Sequence, residues 1–124
     1  MSEDTTGFVE LPQPRQCVLW NEPHRVRGRF KEVESYEDSS HLTRSLFECN
    51  ECGQLYFHEW YEWVDWEGGA DKHYTTLIPV QTREQIEALR ATDIFGLLSY
   101  FPRLQSSGGT YVWIGKDEAI DSKA

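Results

Sequence analysis

The residues best equipped for chemistry in this chain are its cysteines. Cys49, Cys52 and Gly53 form a Cys-x-x-Cys-Gly run inside Phe47-Glu48-Cys49-Asn50-Glu51-Cys52-Gly53-Gln54-Leu55-Tyr56. That spacing curls the backbone so that two thiolates point at one cation, and a glycine after the second cysteine takes a turn conformation that bulkier residues resist. A closed structural zinc needs four ligands, so the knuckle supplies half a site. Cys17 is the remaining cysteine and the natural third ligand, with His24 or His41 available as a fourth, while His58 and His73 are equally free to be surface residues. The expected occupant is one structural zinc on Cys17, Cys49 and Cys52, or no metal if the knuckle is only a hairpin turn. A redox role is disfavoured, because it calls for Cys-x-x-Cys at a helix N-terminus, and strands are expected on both sides of this one.

This stretch resembles one knuckle of a zinc ribbon or rubredoxin. In a zinc ribbon the second half would be another Cys-x-x-Cys, whereas the positions three residues from Cys17 are Pro14 and Trp20, neither of which binds metal. The resemblance implies a zinc-ribbon-like binding module contacting RNA or a protein complex, with Arg25, Arg27, Arg29 and Lys31 as its phosphate-contacting stripe.

Other catalytic patterns are missing. His58-Glu59-Trp60-Tyr61-Glu62 begins like the helical zinc-protease motif but lacks the second histidine. There is no phosphate loop, dinucleotide fingerprint or nucleophile elbow. Glu59 and Glu62 are three residues apart in an acidic segment, where carboxylates are usually solvated. The expectation is a protein that binds rather than catalyses.

The second concentration of chemistry follows the knuckle. Residues 45–71 contain no lysine or arginine but hold seven acids (Glu48, Glu51, Glu59, Glu62, Asp65, Glu67, Asp71) and seven aromatics (Phe47, Tyr56, Phe57, Trp60, Tyr61, Trp63, Trp66). Aromatic side chains anchor interfaces at low entropic cost, and carboxylates among them steer and pair with a cationic partner. Glu59, Trp60, Glu62, Trp63, Asp65, Trp66, Glu67 and Asp71 are therefore the expected partner-binding residues. A competing role for the same aromatics is to fill the core, with the acids pairing to Arg25, Arg27, Arg29 and Lys31.

Charge bears on which partner is expected. Twenty-one acids against twelve bases give a net charge of −9, which repels nucleic acid and anionic lipid at long range. In overall character the chain resembles bacterial toxin-immunity proteins, which are small, acidic and aromatic-rich. That resemblance implies a stoichiometric inhibitor that neutralises a basic, nuclease-type toxin by covering its surface, and that is a monomer when alone. The polar first residues and the lack of a long apolar run lead to the expectation of a cytoplasmic protein without a membrane span.

These residues need elements to position them. The expected fold is α+β, mainly an antiparallel sheet with hairpins and two short helices, spanning residues 15–115 between a flexible arm (1–14) and a polar tail (116–124). Cys17 to Trp20 reads as a short strand closed by Asn21-Glu22-Pro23. Residues 25–33 alternate and read as a strand with a basic outer face, and a further strand is expected from about His41 to Phe47. Residues 55–66 and 74–78 read as a hairpin around Gly68-Gly69-Ala70-Asp71. The Thr82-Arg83-Glu84-Gln85 spacing predicts a capping box opening a helix that carries Ile86 and Leu89. Thr92 or Asp93 is expected to cap a second helix with Ile94, Leu97, Leu98 and Phe101, ended by Pro102. Gly108-Gly109 then leads to a last strand at residues 110–114.

Overall fold

Alternating segments rich in aromatic and β-branched residues pair into one six-stranded antiparallel sheet. Its strands are β2 (Phe30–Asp38), β3 (Leu42–Cys49), β4 (Leu55–Trp63), β5 (Lys72–Val80), β7 (Arg103–Ser107) and β8 (Tyr111–Ile114), hydrogen-bonded in that order. The computed structural model describes residues 9–63, 67–69, 72–93, 95–107 and 109–115. Two-residue strands β1 (Val9–Glu10) and β6 (Tyr100–Phe101) pair in parallel beside the sheet. Helices α1 (Val18–Asn21) and α2 (Arg83–Arg90) and two 3-10 turns, Pro23–Val26 and Gly96–Ser99, complete the described elements. The α+β reading therefore holds. Among the described residues no helix is long and apolar enough to cross a membrane.

The first half of the central strand β4 is buried on both faces, which accounts for Tyr56 and Phe57. On one face Phe57 meets Leu46, Ile78 and Val80, and Ile86 and Leu89 of α2 close over them together with Leu97 and Leu11. On the other, Tyr56 packs with Leu77, Leu104, Cys17, Cys49 and Leu19 of α1. Tyr56 and Phe57 are adjacent in sequence, point to opposite faces and are both completely buried. Helix α1 is held on its face by Trp113, whose indole N–H donates to the Leu19 carbonyl at 2.7 Å while its ring meets Trp20 edge-on at 4.8 Å.

The capping box of α2 forms as its sequence demands. The Thr82 hydroxyl accepts from the Gln85 N–H at 3.1 Å, and the Gln85 side-chain oxygen accepts from the Thr82 N–H at 3.2 Å. The β4–β5 hairpin also forms, with Leu55 opposite Val80 and Trp63 opposite Lys72.

Four local expectations are corrected. Cys17 to Trp20 is not a strand: Val18–Asn21 is a helical turn, and so short an apolar run has no periodicity that separates the two. The strand expected over residues 25–33 begins only at Phe30. Pro23 starts a 3-10 turn, and Gly28, at φ +72°, breaks the extended run. The second helix is replaced by the four-residue turn Gly96–Ser99, whose entry is tied by Asp93 Oδ1 accepting from the Phe95 and Gly96 amides. Arg103 donates to the Leu98 and Tyr100 carbonyls there, so side chains hold this turn in place of helical repeats. Residues 9–14, read as part of a flexible arm, are packed: β1 pairs with β6, and Leu11 and Pro14 are buried.

Candidate functional site

Two regions at opposite ends of β4 carry the side chains singled out by sequence. At the N-terminal end, the sulfurs of Cys17, Cys49 and Cys52 lie within 4.8 Å of one another, and all three are free thiols. Cys49 ends β3, and its turn is closed by the Cys49 N–H donating to the Gln54 carbonyl and the Gly53 N–H donating to the Cys49 carbonyl, both at 2.9 Å. Gly53 sits at φ +81°, as a knuckle requires.

Cys17 reaches the same point from a separate segment, tied there by Gln54. The Gln16 amide donates to Gln54 Oε1 at 2.8 Å, and Gln54 Nε2 donates to the Leu55 and Val80 carbonyls at 2.9 and 3.1 Å. Gln16 and Gln54 thus position the cluster. Sequence reasoning missed them, because nothing in a lone glutamine signals whether it bridges two segments.

Burial opposes charge on Cys49 and Cys52, and the backbone answers it unevenly. For Cys49, burial raises the thiol, but the backbone amides of Cys52 and Glu51 outweigh it and hold the group below its ordinary value. Cys52 is pushed up to about 12 by burial and by its two sulfur neighbours, against a single amide from Gln54. Three converging sulfurs with amides aimed at them suit a thiophilic cation such as zinc. Among the described residues the group comprises the three cysteines alone. His24 is exposed on its turn, and His41 lies against Glu62 at 3.1 Å, so neither completes it. Tyr56 adjoins the cluster with its ring fully buried. Its hydroxyl lies beside Cys17 without the geometry of a hydrogen bond and has no partner among the described residues.

At the other end of β4 a groove of about 310 Å³ opens on the α2 side of the sheet. Its floor is Glu59, Thr76 and Gln105, and its walls are Tyr61, Tyr74, Trp63, Phe95 and Leu98. Trp63, Phe95 and Leu98 are 54, 66 and 43% exposed, three large apolar side chains left in solvent around one groove. Phe95 and Leu98 were not expected here, since Leu98 was read as core of a helix that does not form.

The expected partner-binding residues separate in this setting. Glu59 is buried and paired with Arg44, whose Nε and Nη2 lie 3.0 and 2.9 Å from Glu59 Oε2. Arg44 Nη1 also donates to the Thr92 carbonyl at 2.7 Å, beyond the C-terminal end of α2. Burial raises the Glu59 carboxyl above its usual range, with Arg44 opposing it. Glu62 is half-buried between His41 and His73, at 3.1 and 3.4 Å. Trp60 is half-buried with its ring edge-on to His73. Trp63 and Glu67 are exposed. Asp65, Trp66 and Asp71 lie outside the described residues.

The proposed basic stripe does not assemble. Arg25 pairs with Glu22, Arg29 with Glu51 and Lys31 with Glu48, and of the four bases only Lys31 lies on a strand.

Comparison with known proteins gives little further. No family model and no solved structure matches the chain. A stretch of 88 residues is 30% identical to E-selectin of Bos taurus, covering 68% of this chain and 18% of that protein. The chain thus spans less than a fifth of E-selectin's length, so the whole protein's activity does not transfer with the likeness.

Proposed function

We propose that this protein is a stoichiometric protein inhibitor of the immunity type, which binds a basic, nuclease-type protein partner through the groove end of the β4–β5 hairpin. The observation that carries this reading is the convergence of exposed Trp63, Phe95 and Leu98 on one groove, beside a segment with seven acids and no base. Exposed apolar anchors next to an acidic segment provide short-range anchoring and long-range attraction together. Trp63, Phe95 and Leu98 are the anchors. Glu67, Asp65 and Asp71 supply the charge, whereas Glu59 belongs to the groove's internal support. Co-expression and pull-down with the product of the gene immediately upstream tests this. One-to-one recovery of a basic protein, lost in Trp63→Ala, is the expected result, and recovery unaffected by Trp63→Ala removes the groove from the reading.

The three-cysteine cluster holds one structural zinc in this proposal. Zinc ties the segment carrying Cys17 to the β3–β4 knuckle, and its removal lowers stability without unfolding the chain, because two apolar cores remain. Elemental analysis of protein purified without chelator should find close to one zinc per chain. A value near zero leaves the knuckle as a plain turn. The alternative of a zinc-ribbon-like module on RNA is weakened by the pairing of Arg25, Arg29 and Lys31 with acids.

A further inference from the structure

We infer that Tyr56 is a positioning residue for the metal centre, its hydroxyl donating a hydrogen bond to the Cys17 thiolate once the cluster is loaded; this rests on the zinc reading above. A fully buried tyrosine hydroxyl without a partner is unusual, since buried polar groups are almost always satisfied. Packing alone does not call for it. The ring sits among Leu77, Leu104 and the cysteines, where phenylalanine would fill the same space.

The three sulfurs differ in what supports them. Amides of the knuckle serve Cys49 and Cys52. Cys17 lies outside the knuckle, and the amide three residues downstream of it, that of Trp20, bonds the Cys17 carbonyl at 3.0 Å. Besides the other two sulfurs, Cys17 has Tyr56 packed against it in the same buried cluster, with the hydroxyl beside its sulfur. A neutral thiol is a weak acceptor, so the hydroxyl gains little from it. On metal binding the three thiols release three protons to solvent and a dipositive cation takes their place, leaving a net charge of −1 on the group. A thiolate is a far better acceptor, and Tyr56, keeping its own proton, then has its partner. Outer donors of this kind orient ligands and tune metal affinity.

The test uses the full chain with Co²⁺ as a spectroscopic probe and Zn²⁺ in competition. Wild-type protein should bind one Co²⁺ with sulfur-to-metal charge-transfer absorption. Tyr56→Phe should keep the metal-free fold and its thermal midpoint but bind either metal about 10- to 100-fold more weakly, with the charge-transfer band displaced. A packing role would instead lower the metal-free midpoint and leave affinity and band unchanged, which overturns the inference. Should Tyr56→Phe not fold, wild-type protein loaded with ¹¹³Cd provides an independent reading. A slowly exchanging Tyr56 hydroxyl proton coupled to cadmium through the sulfur supports the inference, and its absence overturns it. If wild-type protein takes up neither metal, the zinc reading fails and this inference fails with it. Binding by wild type with an unaffected Tyr56→Phe variant removes Tyr56 alone.

Discussion

The two ends of β4 put the same kinds of side chain to opposite uses. At the knuckle end, Tyr56 and Phe57 disappear into cores on both faces of the sheet, and Gln54, Cys17 and Cys49 are buried with them. At the hairpin end, Trp63 stands in solvent beside Phe95 and Leu98. Exposure changes along the strand more than between its faces. An alternating pattern tells which residues share a face, but which part of a face is covered depends on where α1, α2 and the Gly96–Ser99 turn are laid down. The knuckle end is closed over by packing, and the hairpin end leaves large apolar side chains exposed, as the proposed contact role requires.

The sharpest way to break this comparison is at the boundary between the ends, where Arg44 and Glu59 meet beneath the groove. Arg44→Met leaves the Glu59 carboxylate buried without its partner and the Thr92 carbonyl without its donor. The expected cost is about 3–5 kcal/mol of stability by urea unfolding. Arg44→Met combined with Glu59→Leu should recover much of that loss, because the pair, once removed together, leaves no stranded charge. A single mutant as stable as the parent would mean that Glu59 is solvated and belongs to the contact surface after all.

Contact residues should behave in the reverse way. Trp63→Ala and Phe95→Ala remove side chains that are more than half exposed, so unfolding midpoints should move little, while either change at a hot spot weakens partner binding by about 2 kcal/mol or more, mainly through faster dissociation. Phe57→Ala, completely buried in the core beneath α2, should do the opposite. If Trp63→Ala destabilises the fold as Phe57→Ala does, the two ends do not differ in kind.

Midway along β4, His58 reports how far burial extends. Its ring stacks on Phe47 at 4.3 Å, its Nδ1 has no partner among the described residues, and burial pushes its pKa down to about 4. The unfolded chain takes up this proton near pH 6.5. Stability carried by the neutral imidazole is therefore present above pH 6.5 and lost as the pH falls towards 4. Allowing for partial exposure, the loss should be about 2 kcal/mol. His58→Phe should flatten the pH dependence in that window, as followed by urea unfolding at stepped pH. An unchanged slope would place the acid sensitivity elsewhere.

What the sequence made legible was local or strongly periodic. Thr82 and Gln85 cap α2 through their own backbone amides, and Cys49, Cys52 and Gly53 form a turn from adjacent residues, so short-range chemistry determines both. The approach of Cys17 was expected from ligand arithmetic alone and is realised through Gln16 and Gln54. β7 was not legible, because Arg103, Gln105 and Ser106 have little strand character, and its extended form comes from pairing with β5 and β8. Nor was the burial of Glu59, which depends on Arg44 lying opposite it on β3. The alternation of residues 25–33 misled because Gly28, at its centre, takes a left-handed conformation that a face pattern does not register.

The smallest expected effect separates charge from contact within the hairpin end itself. Glu59 is paired with Arg44, and Glu62 is flanked by His41 and His73, so amide substitutions there would disturb structure as well as charge. Glu67 is exposed, and together with Asp65 and Asp71, which flank it in sequence, it carries the acidic charge that follows β4. Glu67→Gln with Asp65→Asn and Asp71→Asn removes three negative charges from a chain whose net charge is −9. Attraction between separated charges acts before contact and is screened over roughly 10 Å at 0.1 M salt. It therefore governs how quickly the partners meet more than how long they stay. Stopped-flow association with the basic partner should slow by a factor of roughly ten at low salt, with a flatter dependence on ionic strength and a dissociation rate close to the parent's. Faster dissociation with unchanged association would mean that these carboxylates make direct contacts, and the division of labour between aromatic anchors and acidic steering would have to be redrawn.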